Sequence, residues 1–199
     1  MLSAALTLAG CGSSAAGSAA VVGDNRIPVS DLQTAVSELS GVGARVAPAT
    51  ALSLLVMAPY VIPAAGKLGV AVSDDDACRL LAQIAKQNAS KTVDCASAQF
   101  SPSTLLFVRT YFTLRGVAGN STPESSNAWW SGVVKQVEKA GVRVNPRFGA
   151  FDPAVTTDPS TDAWFFVIGP TVPNWLVGSS KTPTPTPSPA PSATPSPSQ

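Results

Sequence analysis

The segment from Pro48 to about Gly66 constrains this chain more than any other. Its Leu52, Leu54, Leu55, Val56 and Met57 leave almost no polar side on a helix, and a helix apolar all round belongs at the centre of a core. Pro59 and Pro63 lie inside it. Each removes a backbone donor, so the segment is expected to bend or split there. Everything else has to pack around this element.

Four further helices are legible from apolar spacing and punctuation. Ser30 is expected to cap the first, with Gln33 completing a capping box; Leu32, Val36 and Leu39 recur at helical spacing and Gly41 is the stop. Ser73 precedes Asp74, Asp75 and Asp76 at the start of another, which carries Cys78, Leu81, Ile84 and Ala85 inward and ends near Asn88. Three carboxylates in a row suggest either a cation site or a run placed at the positive end of a helix dipole, and the second fits better. Ser101-Pro102 opens the helix holding Leu105, Leu106, Phe107, Val108, Tyr111 and Phe112, with Gly116 as its expected end. Thr122-Pro123 opens the last, with Trp129, Trp130, Val133, Val134 and Val137, and Gly141 closes it. Adjacent helical residues point ~100° apart, so one of the two tryptophans should lie at the edge of the packed face or in a groove.

Extended pieces flank the helices. Residues 20–29 read as two short strands around Gly23-Asp24-Asn25, with Pro28 excluding a long central strand. Val142 and Val144 alternate as a strand that Pro146 ends. Trp164 to Ile168 reads as a buried strand or a turn of helix. From Lys181 to Gln199 the chain is Thr-Pro and Ser-Pro repeats without an apolar anchor. This suits a disordered, polyproline-like tail reaching ~60 Å at ~3.1 Å per residue.

The N-terminus is different again. Leu8-Ala9-Gly10-Cys11 ends an apolar run and precedes small polar residues, and it resembles a bacterial lipobox. The resemblance implies a diacylglyceryl group on the Cys11 thiol, cleavage before Cys11, and residence on the extracytoplasmic face of the cell membrane. Residues 1–10 are then the signal peptide, 11–19 a lipidated flexible spacer, 20–178 the helical domain and 179–199 the tail. A secretory signal carries a basic n-region, and no Lys or Arg precedes Arg26; the true start is therefore expected upstream. No apolar run is expected to reach the ~18 residues of a transmembrane helix. Membrane contact is assigned to the lipid, since two or three acyl chains anchor stably.

Composition excludes several functions. Thirteen basic and twelve acidic residues provide no field to attract nucleic acid. With no histidine anywhere, neither a Ser-His-Asp nor a Cys-His arrangement can exist. Neither metal nor cofactor is expected. Asp24, Asp31, Asp152, Asp158 and Asp162 are conceivable acid–base groups, but each has an ordinary turn or cap explanation, and the chain is read as a non-enzyme. The sequons at Asn88 and Asn120 matter only in a eukaryotic secretory route. Once Cys11 is lipidated, Cys78 and Cys95 form an even pair in an oxidising compartment. They are either disulfide-bonded, for about 3 kcal/mol in the chain-entropy account, or two buried thiols.

Three stretches carry a family resemblance. Ala20 to Asp24 with Ile27 and Val29 to Leu32, then Leu68 to Asp74, then Val142 to Gly149, together resemble the SurA N-terminal domain family of extracytoplasmic chaperones, related to PrsA-type foldases. The likeness spans about residues 19–152. It implies a mainly α domain of about five helices, with a small β pair in which Val142–Val144 joins Ala20–Val22. Full-length foldases add a parvulin isomerase domain whose active site uses histidines, so isomerase activity is not carried over. What the resemblance implies is a monomeric, lipid-anchored holdase for unfolded secreted polypeptides, with Phe107, Tyr111, Trp129 and Trp130 as candidate lining residues of an apolar groove, or else core. The alternative is a structural or adaptor envelope lipoprotein that works through its Pro/Ser/Thr tail, which is otherwise a passive stalk.

Overall fold

The computed structural model describes residues 17–97, 100–152 and 168–169. Cys11, expected to carry the lipid, the expected tail from 179 and most of the 164–168 segment lie outside them.

The architecture is mainly helical with a small antiparallel sheet. Strands β1 (Ser18–Val22) and β2 (Asn25–Pro28) form a hairpin, followed by helices α1 (Val29–Gly41), α2 (Pro48–Gly66), α3 (Asp74–Ala89), α4 (Pro102–Asn120) and α5 (Pro123–Ala140). Strand β3 (Val142–Val144) follows, then a 3₁₀ turn at Pro146–Phe148 and the strand pair β4 (Ala150–Phe151) and β5 (Ile168–Gly169).

Strand β1 lies between β2 and β3. The two-residue hairpin loop places Gly23 at φ +55°, as a glycine-led reverse turn requires. Pro28 ends an edge strand, where its missing N–H costs no ladder bond. Val142–Val144 pairs with Ala20–Val22, as the resemblance implied; the pairing is antiparallel, with Ala20 opposite Val144 and Val22 opposite Val142. Asn145 clamps the join: its N–H donates to Ala19 O at 2.9 Å and its Nδ2 to Ser18 O at 3.2 Å. Ser18 and Ala19, expected to belong to a flexible spacer, are instead buried strand residues.

Helix α2 is the central element. Ten of its residues are buried, from Ala51 through Ala58 without a break and then Val61 and Ala65. It contacts α1, α4, α5, β1, β5 and the 3₁₀ turn. Pro59 and Pro63 do not split it. Contrary to the sequence expectation, α2 is long and apolar enough by length and composition to cross a membrane. The alanines and prolines between its large residues complete a run that looked too short. Its burial against six neighbouring elements accounts for that apolarity within the domain. Even Ser53 is matched at its centre, donating to Ala49 O at 2.9 Å and accepting from the Ile168 N–H at 3.1 Å.

Three helix starts follow local capping chemistry. Ser73, Ser101 and Thr122 each accept from the N–H three residues on, at 3.1, 3.3 and 3.3 Å. Helix α1 departs from expectation. Its N-cap is Pro28, with no side-chain cap, and Ser30 sits inside the first turn bonded to Asp31. Its end also shifts, because Gly43 rather than Gly41 takes the left-handed position, at φ +82°. Ala44 N–H bonds back to Leu39 O, and Gly43 N–H to Ser40 O, which is the Schellman arrangement. Helix α4 runs past Gly116 to Asn120. Gly116 faces Val70 there, and a Cβ would meet Val70 O at an ordinary 3.5 Å.

Candidate functional site

The α1 terminus positions a surface cavity. The Schellman turn at Gly43 redirects the chain into the Ala44–Ala47 connection, which enters α2 at Pro48. A Cβ on Gly43 would lie 2.8 Å from Asn88 Cβ, so this turn and the end of α3 are as close as backbone allows. Lys91 Nζ fastens the contact by donating to Gly41 O at 2.8 Å. The Cys78–Cys95 disulfide, with a Cα–Cα distance of 5.8 Å, holds the segment after α3 against the start of that helix.

Between this connection, the C-terminal part of α3 and the middle of α4 lies an open cavity of about 650 Å³. That is within the range of ligand-binding clefts. Its floor is apolar: Leu39, Val46, Ile84, Phe107, Val108, Tyr111 and Phe112. The α4 aromatics form a short ladder. Phe107 and Tyr111 are near parallel with centroids 6.4 Å apart, and Phe112 meets Tyr111 edge-on at 5.1 Å. Polar side-chain groups in the lining are those of Arg45, Thr50, Asn88 and Arg115 and the Tyr111 hydroxyl, and both arginines are exposed.

Two of the four candidate lining residues thus converge on the groove. Phe107 forms its base at 7% exposure, and Tyr111 is half-buried in its wall. Trp129 and Trp130 do not line it. Trp130 is core at 4% exposure, whereas Trp129 is half-buried, as the angular argument for adjacent helical residues requires. Trp129 Nε1 is buried without a hydrogen-bond partner among the described residues. Ile84 and Phe112 were legible as apolar helix positions, but nothing local marked them as groove residues. Arg45 and Val46 lie in a connection with no periodic signal.

Other candidates have structural roles. Asp76 accepts from Ser73 Oγ at 2.6 Å and pairs with Arg79. The Ser73 hydrogen bond first, and Arg79 second, hold its carboxyl below the ordinary 3.8. The Ala96 N–H and the Ser97 hydroxyl lower Asp94 from the same value. Asp74 pairs with Arg109 at 2.9 Å, and Arg109 Nε donates to Val72 O at 2.9 Å. The acidic run therefore serves the α3 start and its link to α4. Among the described residues no three His, Cys, Asp or Glu side chains are grouped to hold a metal. Asp158 and Asp162 lie outside those residues. A second cavity beside the sheet, at Ser18, Ala20, Arg143 and Val144, is about 180 Å³, below the usual size of a ligand cleft.

No protein-family model matches the chain, and no curated protein or solved structure matches it.

Proposed function

We propose that this chain is an extracytoplasmic, lipid-anchored, chaperone-like protein that holds apolar segments of unfolded polypeptides and has no isomerase activity. The observation that carries the reading is the open apolar groove with its Phe107–Tyr111–Phe112 ladder. Exposed aromatic and aliphatic surface binds extended chains weakly and with little regard to sequence, because the hydrophobic contribution scales with area rather than with particular pairings. The disulfide supports an oxidising compartment, and Cys11 at the lipobox supplies the anchor. On this reading the domain is SurA N-terminal-like and works without a parvulin partner domain.

The test is aggregation of a denatured client, followed by light scattering, at equimolar full chain carrying Cys11→Ser to keep it free of lipid. Wild-type groove residues should slow aggregation. Ile84→Glu, which places a charge in the apolar floor, should abolish most of the effect while helical circular dichroism is retained. No effect of the parent protein, or an undiminished effect of Ile84→Glu, overturns the proposal.

A further inference from the structure

The last described residues before the tail are fastened beside the groove. The Ile168 N–H donates to Ser53 Oγ on α2 at 3.1 Å, and β5 packs on that helix. Thr50, which lines the groove, precedes Ser53 by less than one turn, about 4.5 Å along the axis. Residues 170–182 then lead to Pro183. At ~3.3 Å per residue they reach up to about 45 Å, well over the 10–12 Å or so across one helix. Beyond them proline recurs at every second position, at Pro183, Pro185, Pro187, Pro189 and Pro191. In the polyproline II conformation that this composition favours, each residue advances ~3.1 Å and the helix has three edges. Prolines two positions apart thus share a face and stand about 6.2 Å apart along it. The Phe107 and Tyr111 rings at the base and wall of the groove are spaced 6.4 Å.

Resting on the groove reading above, we infer that the groove is occupied by the chain's own tail: Thr182–Ser192 docks on the α4 aromatic ladder, and an unfolded polypeptide must displace it. Proline-rich segments dock in aromatic-lined grooves because their preset conformation lowers the cost of ordering. Polyproline II has no internal hydrogen bonds, and the Thr50 and Asn88 side chains in the lining carry donors for its carbonyls. A tethered segment acts at an effective concentration on the mM scale. A tail with an intrinsic affinity of ~0.1 mM therefore fills the groove most of the time and weakens client binding about tenfold. From Thr182 to Ser198 the tail has no ionisable side chain, so its contact is insensitive to salt.

The experiment compares the full chain carrying Cys11→Ser with the same chain in which Pro183, Pro185, Pro187, Pro189 and Pro191 are all replaced by Gly. Both are titrated against one fluorescent peptide with a Leu/Phe core, acetylated and amidated at its ends, and binding is read by anisotropy. The glycine variant should bind about threefold to tenfold tighter, with helical circular dichroism unchanged. That ratio should change by less than about twofold in ~0.5 M salt. A synthetic Thr182–Ser192 peptide should displace the fluorescent one from the glycine variant. Benzoylphenylalanine at Phe112, with no client present, should give adducts within one chain to residues 182–192, and the glycine replacements should remove them. Equal or weaker peptide binding by the glycine variant, or adducts that join two copies of the chain, overturn tail docking and leave the groove reading standing. Failure of the fluorescent peptide to bind either chain overturns the groove reading, and tail docking with it.

Discussion

At Gly43 the backbone stands at φ +82° and leaves no room for a side chain beside Asn88. Gly43→Ala should therefore lose stability twice, through the left-handed conformation and through the contact. The expected cost is about 2–4 kcal/mol, read as a lower urea midpoint with an unchanged slope. A loss well under 1 kcal/mol would mean that the α1 terminus and α3 separate easily and do not fix the groove wall. At Asp76 and Asp94 the argument concerns pH. Both carboxyls are held below 3.8 in the folded protein. The stability they contribute is therefore full above the unfolded value near 3.8 and is lost as pH falls through the lower folded values. Asp76→Asn should flatten the acid limb of a stability–pH curve below about pH 4, with little change near neutrality.

Helix ends show what a local reading can and cannot reach. Ser73, Ser101-Pro102 and Thr122-Pro123 were legible because a cap is satisfied by atoms three residues away. Ser30 has the same chemistry, yet Pro28 and Val29 start α1 before it, so its hydroxyl turns to Asp31. Gly41 and Gly116 looked like stops because glycine often is one. The real stop at Gly43 is selected by a contact with Asn88 that lies far along the chain. Glu38 went unread for the same reason. Its carboxylate accepts from both the N–H and hydroxyl of Ser101, which adds negative charge at the positive end of α4 from a helix distant in sequence. Glu38→Ala should destabilise the protein by about 1–2 kcal/mol. Amide hydrogen exchange should rise most in the first turn of α4; a rise spread evenly over the domain would contradict a capping role.

For the whole molecule, the all-apolar segment identified its own place, since α2 had nowhere to go but the centre. The expected pairing of Val142–Val144 with Ala20–Val22 also formed, joining β1 to β3. Of the groove, only Phe107 and Tyr111 were named from the sequence. The groove is built from an aperiodic connection, one end of α3 and the middle of α4, and only the fold brings these together. Size and adjacency singled out Trp129 and Trp130, but α5 holds them away from that surface. The central claim is that unfolded chains are held at the α3–α4 groove and not at the α5 aromatics. Photocrosslinking tests this most directly, with benzoylphenylalanine placed singly at Phe112 and at Trp129 of the full chain and an unfolded client added. The account predicts client adducts from position 112 and few from 129; adducts mainly from 129, or none from 112, would contradict it.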